Sequence, residues 1–376
     1  MTSLSPAKAC LEAIEKWQAP LEKPLKIMEV CGTHTMAIAR HALKQLLPPG
    51  IVLVSGPGCP VCVTHQKDLE HALEMARNPE ILLTTYGDML RVPAYRSSLL
   101  EERARGASVT VVTSAMEALE LASKEPKKKV IFLGVGFETT APATAAAILR
   151  ARERKISNFF VLSLHKRVPP VLRYLASREN LQIRGFLLPG HVATILGELP
   201  FGFLGEDFHL ASAIAGFERE DILLGMAALL RQMARGEFRL RNVYSRSVRP
   251  EGNPEARKLM EEVFESAPAL WRGLGTLEDS GLVLRKNYHN FDAARIFPAP
   301  SSMPEEDPLE KLCRCGDILM GRLAPRECPL FGTTCTPLHP LGPCMVSGEG
   351  SCAAAWKYEK NASRAAADFS LAREAE

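Results

Sequence analysis

Nine of the ten cysteines of this chain fall into two groups that could carry out different sulfur chemistry. The first group comprises Cys31 in VCGTHT and the pair Cys59 and Cys62 in SGPGCPVC. The second group lies in the last quarter of the chain and comprises Cys313, Cys315, Cys328, Cys335, Cys344 and Cys352. Thiolates bind soft metals, and neighbouring thiols can cycle with a disulfide. The sequence therefore indicates an open, reactive thiol site and a separate, closed metal site.

Cys31 follows an apolar segment at 25–30 and precedes a helical pattern. This order predicts a sulfur at the carboxyl end of a parallel strand, where open α/β folds bind their ligands. It also places the sulfur beside a helix N-terminus, whose free N–H groups would favour the thiolate. His34 lies three residues further on and could ligate a metal or exchange a proton.

The pair Cys59 and Cys62 has the same setting, between an apolar run at 51–54 and a helical pattern. A C-x-x-C sequence at such a junction can close a disulfide or chelate one metal ion. We expect neighbouring parallel strands to bring these sulfurs and that of Cys31 to one sheet edge. A cysteine can also have a purely structural role, because a free cysteine packs well as a small hydrophobic residue. We favour this interpretation for Cys10.

The six cysteines of the second group are separated by long, unequal gaps that contain proline and glycine. Four thiolates can hold a [4Fe–4S] cluster or a zinc ion. Zinc sites use closely paired cysteines, so the spacing favours the cluster, with zinc and purely structural cysteines as alternatives. Two thiols are left over, which suggests a pair near the cluster that could pass electrons to the first group.

Polar residues also follow other predicted strands. Glu138 and Thr139 lie in GVGFETT, and His191 lies in PGHV. If two sheets face each other, these residues would line a cleft between domains and could contact a cofactor. GVGFETT lacks the third glycine of G-x-G-x-x-G and the G-K-[ST] of a P-loop, so nucleotide binding stays an open alternative. Glu138 and His191 could equally be helix caps or buried hydrogen-bonding groups, and His165 is expected in a solvated loop.

Apolar runs alternate with helical patterns up to about residue 235, which predicts parallel sheets covered by helices on both faces. The predicted strands are 25–30, 51–54, 81–84, 108–112, 129–133, 159–163, 184–188 and 209–214. The predicted helices are 34–46, 65–77, 97–105, 114–123, 141–153, 169–177, 191–197 and 218–235. We predict an α/β protein with two Rossmann-like domains, 1–120 and 121–238, and a C-terminal irregular or helical [4Fe–4S] domain at 239–376.

The remaining segments are less regular. A helix is predicted to begin at Pro6 with Ser5 as its N-cap. A turn-rich segment at 241–255, a helix at 254–266 and a short hairpin around GLVLR are predicted to follow the second domain. The proline-rich stretch 298–309 is typical of a linker, and the chain is predicted to end in a short helix and a frayed, alanine-rich tail.

The composition is that of an ordinary globular protein, with 46% hydrophobic and 24% charged residues among 376. A net charge of +3 is too small to indicate binding of nucleic acid or an anionic membrane. The N-terminus has no apolar core of a signal peptide, and no apolar run is long enough to span a membrane. We therefore expect a cytoplasmic protein, in which such cysteine spacings favour metal ligation or catalysis over structural disulfides.

Six motifs together resemble the HypD family of iron–sulfur proteins that mature [NiFe]-hydrogenases. They are CGTHT at 31–35, GPGCPVC at 56–62, TYGDM at 85–89, GFETTAP at 136–142, PGHV at 189–192 and the C-terminal CxCG…CPLFG…C…GPCMVSGEGSC. The resemblance covers nearly the whole chain.

The resemblance implies an assembly scaffold that works with a small partner, HypC. On this scaffold an iron atom would acquire two cyanides and one carbon monoxide, giving a transient Fe(CN)2CO group, before delivery to the hydrogenase large subunit. HypE would be the cyanide donor. Such a protein is a redox-active scaffold rather than an enzyme with a free small-molecule product. A stand-alone iron–sulfur disulfide oxidoreductase and a zinc-stabilised binding module are the alternatives.

The resemblance also implies roles for individual cysteines. Cys31 would ligate the iron together with a cysteine of HypC, with His34 as a candidate further ligand, base or partner, and Cys59 and Cys62 would be a redox-active pair. By analogy with ferredoxin:thioredoxin reductase, Cys315 and Cys344 would form a second redox pair. The cluster ligands would then be Cys313, Cys328, Cys335 and Cys352.

Overall fold

The computed structural model describes residues 6–95, 97–299 and 311–359. Its α/β architecture contains two parallel sheets and one antiparallel hairpin. The first sheet has the strand order β2-β1-β7-β8-β9 and is parallel throughout. Its strands are β1 (Leu25–Glu29), β2 (Ile51–Ser55), β7 (Ile183–Pro189), β8 (Ala211–Ala215) and β9 (Arg241–Asn242).

The second sheet is also parallel and has the order β4-β3-β5-β6. Its strands are β3 (Ile81–Thr85), β4 (Val109–Val111), β5 (Lys129–Gly136) and β6 (Phe159–His165). The hairpin pairs β10 (Phe264–Trp271) with β11 (Gly275–Leu284).

Helices cover the faces of both sheets, as expected when each strand is connected to the next through a helix. The α-helices up to residue 235 are α1 (Pro6–Gln18), α2 (Gly32–Arg40), α3 (Leu43–Leu46), α4 (Pro60–Val63), α5 (Gln66–Arg77), α6 (Leu99–Ala104), α7 (Ala115–Lys124), α8 (Ala141–Glu153), α9 (Val168–Ala176), α10 (Gly190–Leu196), α11 (Phe203–Glu206) and α12 (Arg219–Arg235). The later ones are α13 (Pro254–Val263), α14 (Ala293–Ile296), α15 (Cys315–Leu319), α16 (Pro343–Val346) and α17 (Ser351–Tyr358). Short 3₁₀ helices occupy Gly87–Arg91, Glu179–Leu181, Leu199–Phe201, Lys286–Phe291 and Pro325–Glu327.

The eight strands predicted from apolar runs all form, with ends close to the predicted ones. The prediction of parallel sheets flanked by helices is therefore confirmed. The predicted helix 34–46 is divided in two, because Ala42 adopts a left-handed conformation with φ of 52° between α2 and α3. As a result, α2 ends at Arg40 and α3 begins at Leu43.

The division of strands between the sheets differs from the predicted boundary near residue 120. Strands β3 and β4 precede that boundary, yet β3 pairs with β5, which follows it. The second sheet is built from the continuous segment 81–165, which is inserted between β2 and β7 of the first sheet. The chain returns to the first sheet because β7 pairs with β1, a long-range pairing that hydrophobic periodicity does not encode.

The segment beyond β8 is more regular than the sequence indicates. The short strand β9 lies where turns were predicted, and the predicted helix 254–266 ends at Val263. The hairpin is longer than predicted, since β10 begins directly after that helix. The predicted N-cap Ser5, most of the predicted linker 298–309 and the predicted alanine-rich tail lie outside the described residues.

One hydrophobic core joins the two sheets to the C-terminal region. It contains Met28 of β1, Leu83 of β3 and Ile131 of β5, together with Cys62, Cys315, Cys344 and Cys352. The thiol-bearing elements are thus packed into the same core as both sheets. None of the helices in the described part of the chain combines the length and the apolar character needed to span a membrane.

Candidate iron and thiol site

The turns that carry Cys31 and Cys59 lie against each other at the carboxyl edge of the first sheet. The N–H of Gly32 donates to the carbonyl oxygen of Gly58 at 2.9 Å. A Cβ atom on Gly58 would lie 2.1 Å from the backbone nitrogen of Cys31, so only glycine allows this approach. The predicted gathering of the three sulfurs at one sheet edge is reproduced, because β1 and β2 are neighbouring parallel strands.

Cys31 is the N-cap residue of α2 and is 7% exposed. Burial, followed by the nearby carboxylates of Glu349 and Glu29, raises the pKa of its thiol to about 12. The N–H groups of His34 and Thr33 act in the opposite direction, as expected at a helix N-terminus, but with a smaller effect. The sequence-based expectation of a favoured thiolate is therefore wrong for the metal-free protein. A cation would have to replace the thiol proton.

Glu29, the last residue of β1, supports the Cys31 turn from below. The N–H of Cys31 donates to Glu29 Oε2 at 3.0 Å, and the hydroxyl of Thr35 donates to Oε1 at 2.5 Å. The carboxyl is 2% exposed, and burial raises its pKa to about 7 against these hydrogen bonds. The sequence analysis missed this residue, although a glutamate that ends a buried strand directly before a cysteine turn was a usable signal.

Glu349 covers the same turn from the C-terminal region. The hydroxyl of Thr33 donates to Glu349 Oε1 at 2.7 Å. A Cβ atom on Gly32 would lie 2.5 Å from Glu349 Cβ, so the two backbones are in close approach. The sequence analysis included Glu349 in the GEGSC motif but assigned it no role. Its flanking glycines and its position three residues before Cys352 were the available signals.

His34 and His191 both lie at this edge but in different environments. His34 is fully buried and donates from Nε2 to the carbonyl oxygen of Gly216 at 2.8 Å, directly after β8. Burial lowers its pKa to about 4, and among the described residues Nδ1 has no hydrogen-bond partner. His191 is exposed and stacks on Phe217 with ring centroids 3.9 Å apart. The Phe217 ring lies 4.9 Å from that of His34 and so links the two histidines.

Cys59 and Cys62 are joined as a disulfide across helix α4, with Cα atoms 5.2 Å apart. Both are buried, at 3% and 0% exposure. The N–H of Cys62 donates to Cys59 Sγ at 3.2 Å, so Cys59 caps the short helix. The C-x-x-C sequence therefore occurs in its disulfide form, which is one of the two states that the sequence left open.

The six C-terminal cysteines surround one small cavity. All six contribute to its lining, together with Ile318, Phe331 and Met345. Within the set, the sulfurs of Cys315 and Cys344 lie 2.6 Å apart. That approach suits disulfide formation and leaves Cys313, Cys328, Cys335 and Cys352 as the other sulfurs of the cavity.

The donor set of this cavity is suited to an iron–sulfur cluster, because thiolates are its usual ligands. Burial raises the pKa of the Cys352 thiol, and the nearby sulfurs of Cys315, Cys313, Cys335 and Cys328 raise it further. Within residues 6–95, 97–299 and 311–359, no three His, Cys, Asp or Glu side chains are arranged to hold a single metal ion.

The elements that carry the two cysteine groups pack directly on each other. Helix α16, which contains Cys344, packs against α4, which contains Cys62. Helix α17, which contains Cys352, packs against α2 behind Cys31. The hydroxyl of Ser347 donates to Asp88 Oδ2 at 2.9 Å, so the TYGDM segment after β3 holds the connection between these two helices.

The tip of the β10–β11 hairpin fills the space between the sheets and the C-terminal cysteines. Trp271 is fully buried, forms a bridge with Thr64 and stacks on Phe137 with ring centroids 6.1 Å apart. The N–H of Arg272 donates to the carbonyl oxygen of Val63 at 3.0 Å, next to Cys62. The predicted cleft between the two sheet edges is therefore occupied by the chain itself.

The polar residues after β5 contact other parts of the chain. Glu138 is 1% exposed, and both its carboxylate oxygens accept the N–H of Val168 at the start of α9, at 3.0 and 3.2 Å. Burial raises its pKa to about 7. Thr139 is half-buried beside it. A Cβ atom on Gly136 would overlap Thr140 Oγ1, which accounts for that glycine without a phosphate. Of the alternatives raised for Glu138, the structure shows a helix cap, because its carboxylate binds the first N–H of α9.

The segment after β6 corrects a sequence-based expectation. His165 is 1% exposed rather than solvated, and it lies between the hydroxyls of Ser163 and Thr144 at 3.1 and 3.3 Å. Lys166 is also buried and donates from Nζ to the carbonyl oxygen of Leu270 at 2.8 Å. The hairpin, whose contact with β6 the local sequence does not show, covers both residues.

Known proteins resemble this chain over most of its length. The model of the hydrogenase formation hypA family, designated HypD, matches residues 5–359. A hydrogenase maturation factor HypD of Escherichia coli is 43% identical over 346 residues, which cover 92% of each chain. A putative hydrogenase expression/formation protein of Methanocaldococcus jannaschii is 42% identical over 353 residues, covering 94% of this chain and 97% of the relative. The HypD factor of Rhodobacter capsulatus is 41% identical over 343 residues, covering 90% of this chain and 91% of the relative.

Proposed function

This chain belongs to the HypD family of hydrogenase maturation factors, and on that premise we propose that it is the scaffold on which the Fe(CN)2CO group is assembled. In this proposal Cys31 holds the iron while its ligands are added. HypC supplies a further ligand, HypE donates cyanide, and the hydrogenase large subunit receives the product. The iron is cargo rather than a resident cofactor, and assembly takes place in the cytoplasm.

The observation that carries the proposal is the packing of three cysteine-bearing elements into one core. Helix α16 with Cys344 lies on α4 with Cys62, and Gly58 beside Cys59 lies on the backbone of Cys31. Electrons entering at the C-terminal cysteines would therefore pass through neighbouring elements to the iron position. A scaffold that must reduce a bound intermediate needs such a path, whereas a zinc-stabilised binding module does not.

A [4Fe–4S] cluster bound by Cys313, Cys328, Cys335 and Cys352 would supply single electrons. The chain provides two thiol pairs to receive them. Two electrons and two protons convert the Cys59–Cys62 disulfide to two thiols, and the same holds for Cys315 and Cys344. Burial of all four sulfurs keeps dissolved thiols and oxidants away from both pairs.

At the iron position, the chain's own groups prepare Cys31 for ligation. Glu29 fixes the Cys31 backbone through its N–H, and Thr33 fixes Glu349 above the turn. The two nearby carboxylates favour a cation at the sulfur, since they disfavour the bare thiolate. His34 is held neutral by burial, and its Nδ1, which has no hydrogen-bond partner among the described residues, keeps a lone pair available. We assign His34 a supporting role beside the iron.

Infrared spectroscopy on protein purified without oxygen together with HypC tests the proposal. We expect bands in the cyanide and carbonyl stretching region, and their loss in Cys31→Ala without loss of visible cluster absorbance. Cys10→Ala is the matched control, because Cys10 lies on α1 away from both cysteine groups. Hydrogenase maturation should fail only with the first variant.

Two results would count against the scaffold. Persistence of the bands in Cys31→Ala would remove Cys31 as the iron ligand. Absence of the bands in the unmodified protein, with cluster loaded and HypC bound, would favour the stand-alone iron–sulfur disulfide oxidoreductase instead. The two nearby thiol pairs would also suit that activity, so the infrared bands are the deciding observation.

A further inference from the structure

The turn that connects α16 with α17, residues 347–350, is open to solvent on its outer side. It is closed by a hydrogen bond from the N–H of Gly350 to the carbonyl oxygen of Ser347 at 2.9 Å. Gly348 at its tip is exposed, and apart from its chain neighbours a Cβ atom there would meet no atom of the described residues within 4 Å. The tip can therefore move outward without displacing another described element.

The inner side of the 347–350 turn lies on the residues that follow Cys31. Glu349 Oε1 accepts a hydrogen bond from the hydroxyl of Thr33 at 2.7 Å. A Cβ atom on Gly32 would lie 2.5 Å from Glu349 Cβ, so the turn rests on the start of α2. After burial, the Glu349 carboxylate is the next contribution that raises the pKa of the Cys31 thiol, which places this carboxylate beside the sulfur.

Both ends of the 347–350 turn are held by other parts of the chain. The hydroxyl of Ser347 donates to Asp88 Oδ2 at 2.9 Å. Gly350 lies against the preceding helix, since a Cβ atom on it would be 2.2 Å from the carbonyl oxygen of Cys344. Helices α16 and α17 also pack on each other. Movement is thus confined to the tip, where Gly348 gives the backbone the freedom to rotate.

The closed position of this turn conflicts with what Cys31 has to do. Cys31 is 7% exposed, yet in the function proposed above its sulfur must receive an iron atom and hold it within reach of a cysteine of HypC. A buried group reacts at a rate set by the fraction of molecules in which its cover is open. The hydrogen bond between Thr33 and Glu349 favours the closed position and so lowers this fraction.

We propose that the 347–350 turn is a gate over Cys31 and that the hydrogen bond between Thr33 and Glu349 is its latch. The proposal rests on the proposed function, in which Cys31 binds the iron, and adds the control of access to that position. The tip opens toward solvent, and the incoming metal or partner captures the open state. Opening breaks one hydrogen bond and no covalent bond, so it requires neither a reductant nor a proton.

The test uses the cluster-loaded full chain without iron at Cys31. Mass spectrometry of the digested chain follows the alkylation of Cys31 by iodoacetamide and, in parallel, deuterium exchange of the 347–350 amides. Thr33→Val keeps a branched side chain but removes the donor of the latch. We expect it to raise both rates about tenfold, because a hydrogen bond to a charged group shifts an equilibrium by about that factor or more.

Thr113→Val is the matched control. Thr113 donates from its hydroxyl to Glu117 Oε2 at 2.9 Å, a bond of the same kind before α7 on the second sheet. Both rates should stay as in the unmodified chain. In Glu349→Gln the amide oxygen can still accept the hydroxyl of Thr33, so exchange of the turn should also remain slow although the charge beside Cys31 is lost.

Unchanged rates in Thr33→Val would overturn the proposal. Faster alkylation without faster exchange would do so as well, since Thr33 would then act on the charge of the thiol and not on the position of the turn. Faster exchange without faster alkylation would show that the turn moves but does not cover the sulfur, which also contradicts a gate.

Failure of the gate and failure of the scaffold give different results. Absence of the infrared bands from the unmodified chain with HypC bound removes the scaffold, whereas the two rates in the iron-free chain still decide the gate. If the bands form and Thr33→Val changes neither rate, the scaffold stands and the gate does not.

Discussion

Burial, more than formal charge, sets the protonation of the side chains around the iron position. It raises the pKa of Cys31 to about 12 and that of Glu29 to about 7, and it lowers that of His34 to about 4. Near neutral pH the metal-free site therefore holds a protonated thiol and a neutral imidazole. The carboxyl groups of Glu29 and Glu349 beside the thiol would then favour the entry of a cation that displaces the thiol proton.

The lowering of histidine pKa values by burial predicts how the stability of the fold depends on pH. Burial lowers the pKa of His165 to about 3, so between that value and the ordinary value of 6.5 only the unfolded chain binds the proton. Above pH 6.5 this group therefore does not reduce the free energy of unfolding. Below pH 6.5 the free energy of unfolding falls as the pH decreases, by up to about 1.4 kcal/mol per pH unit for this group. His34 adds to the loss in the same direction.

His165→Asn should flatten this dependence, as measured by urea unfolding at about pH 7 and about pH 5. His209→Asn is the control, since His209 is exposed and its left-handed backbone, with φ of 53°, accepts asparagine. An equally steep loss of stability in both variants would mean that His165 is not the titrating group.

At the residue scale the sequence predicts some positions well and others poorly. The sulfurs of Cys31, Cys59 and Cys62 could be located because strand ends and helix starts are local features. His165 and Glu138 could not, because their partners, Ser163 with Thr144 and the N–H of Val168, are defined only by how β5, β6 and α9 meet. The burial of a side chain depends on the elements that pack around it as much as on the residue itself.

At the scale of elements, glycines without a side chain allow the cysteine-bearing segments to touch. Gly273 at the hairpin tip has φ of 74°, and a Cβ atom there would lie 2.2 Å from Gly316 Cα in α15. The hairpin and the CxCG segment are therefore in backbone contact. This contact anchors the wall of the cysteine cavity to the hairpin, and through Arg272 to the residues after Cys62.

Gly273→Ala should disrupt this contact, and Gly275→Ala separates its effect from backbone strain. Both glycines have a positive φ, of 74° and 81°, but a Cβ atom on Gly275 would meet nothing within 4 Å. We expect Gly273→Ala to lower the free energy of unfolding by about 1–3 kcal/mol more than Gly275→Ala does, the usual cost of overpacking. Urea unfolding measures the difference, and visible absorbance measures cluster retention.

Equal destabilisation by the two alanines would contradict the importance of the hairpin contact. The same holds if Gly273→Ala retains the cluster as well as the unmodified chain does. The sequence predicted a short hairpin around GLVLR but not its partner, because a glycine–glycine contact between residues 43 positions apart leaves no periodic signal.

At the scale of the whole molecule, the two sheets present their carboxyl edges to the same C-terminal region. Cys31 and the Cys59–Cys62 disulfide come from the first sheet, Asp88 and Phe137 from the second, and the segment 343–358 lies between them. The sequence predicted the strands and the α/β class, since hydrophobic periodicity is local. It did not predict that 81–165 forms an insertion, because the pairing of β1 with β7 depends on residues more than 150 positions apart.

This arrangement predicts a fixed order of reduction. In the relay proposed above, electrons delivered at the C-terminal cysteines would reach the Cys59–Cys62 disulfide through α16, which packs on α4. Cys344→Ser removes one thiol of the Cys315–Cys344 pair, here called the inner pair, but in our assignment it removes no cluster ligand. After reduction of the cluster by photoreduced deazaflavin, the chain is unfolded in the presence of an alkylating reagent, and Cys59 and Cys62 of the unmodified chain should then be alkylated, as detected by mass spectrometry. In Cys344→Ser they should remain a disulfide, whereas Cys10→Ser should behave like the unmodified chain. Full alkylation in Cys344→Ser would show that electrons reach the iron position without the inner pair, and the direction of flow proposed for this fold would then have to be abandoned.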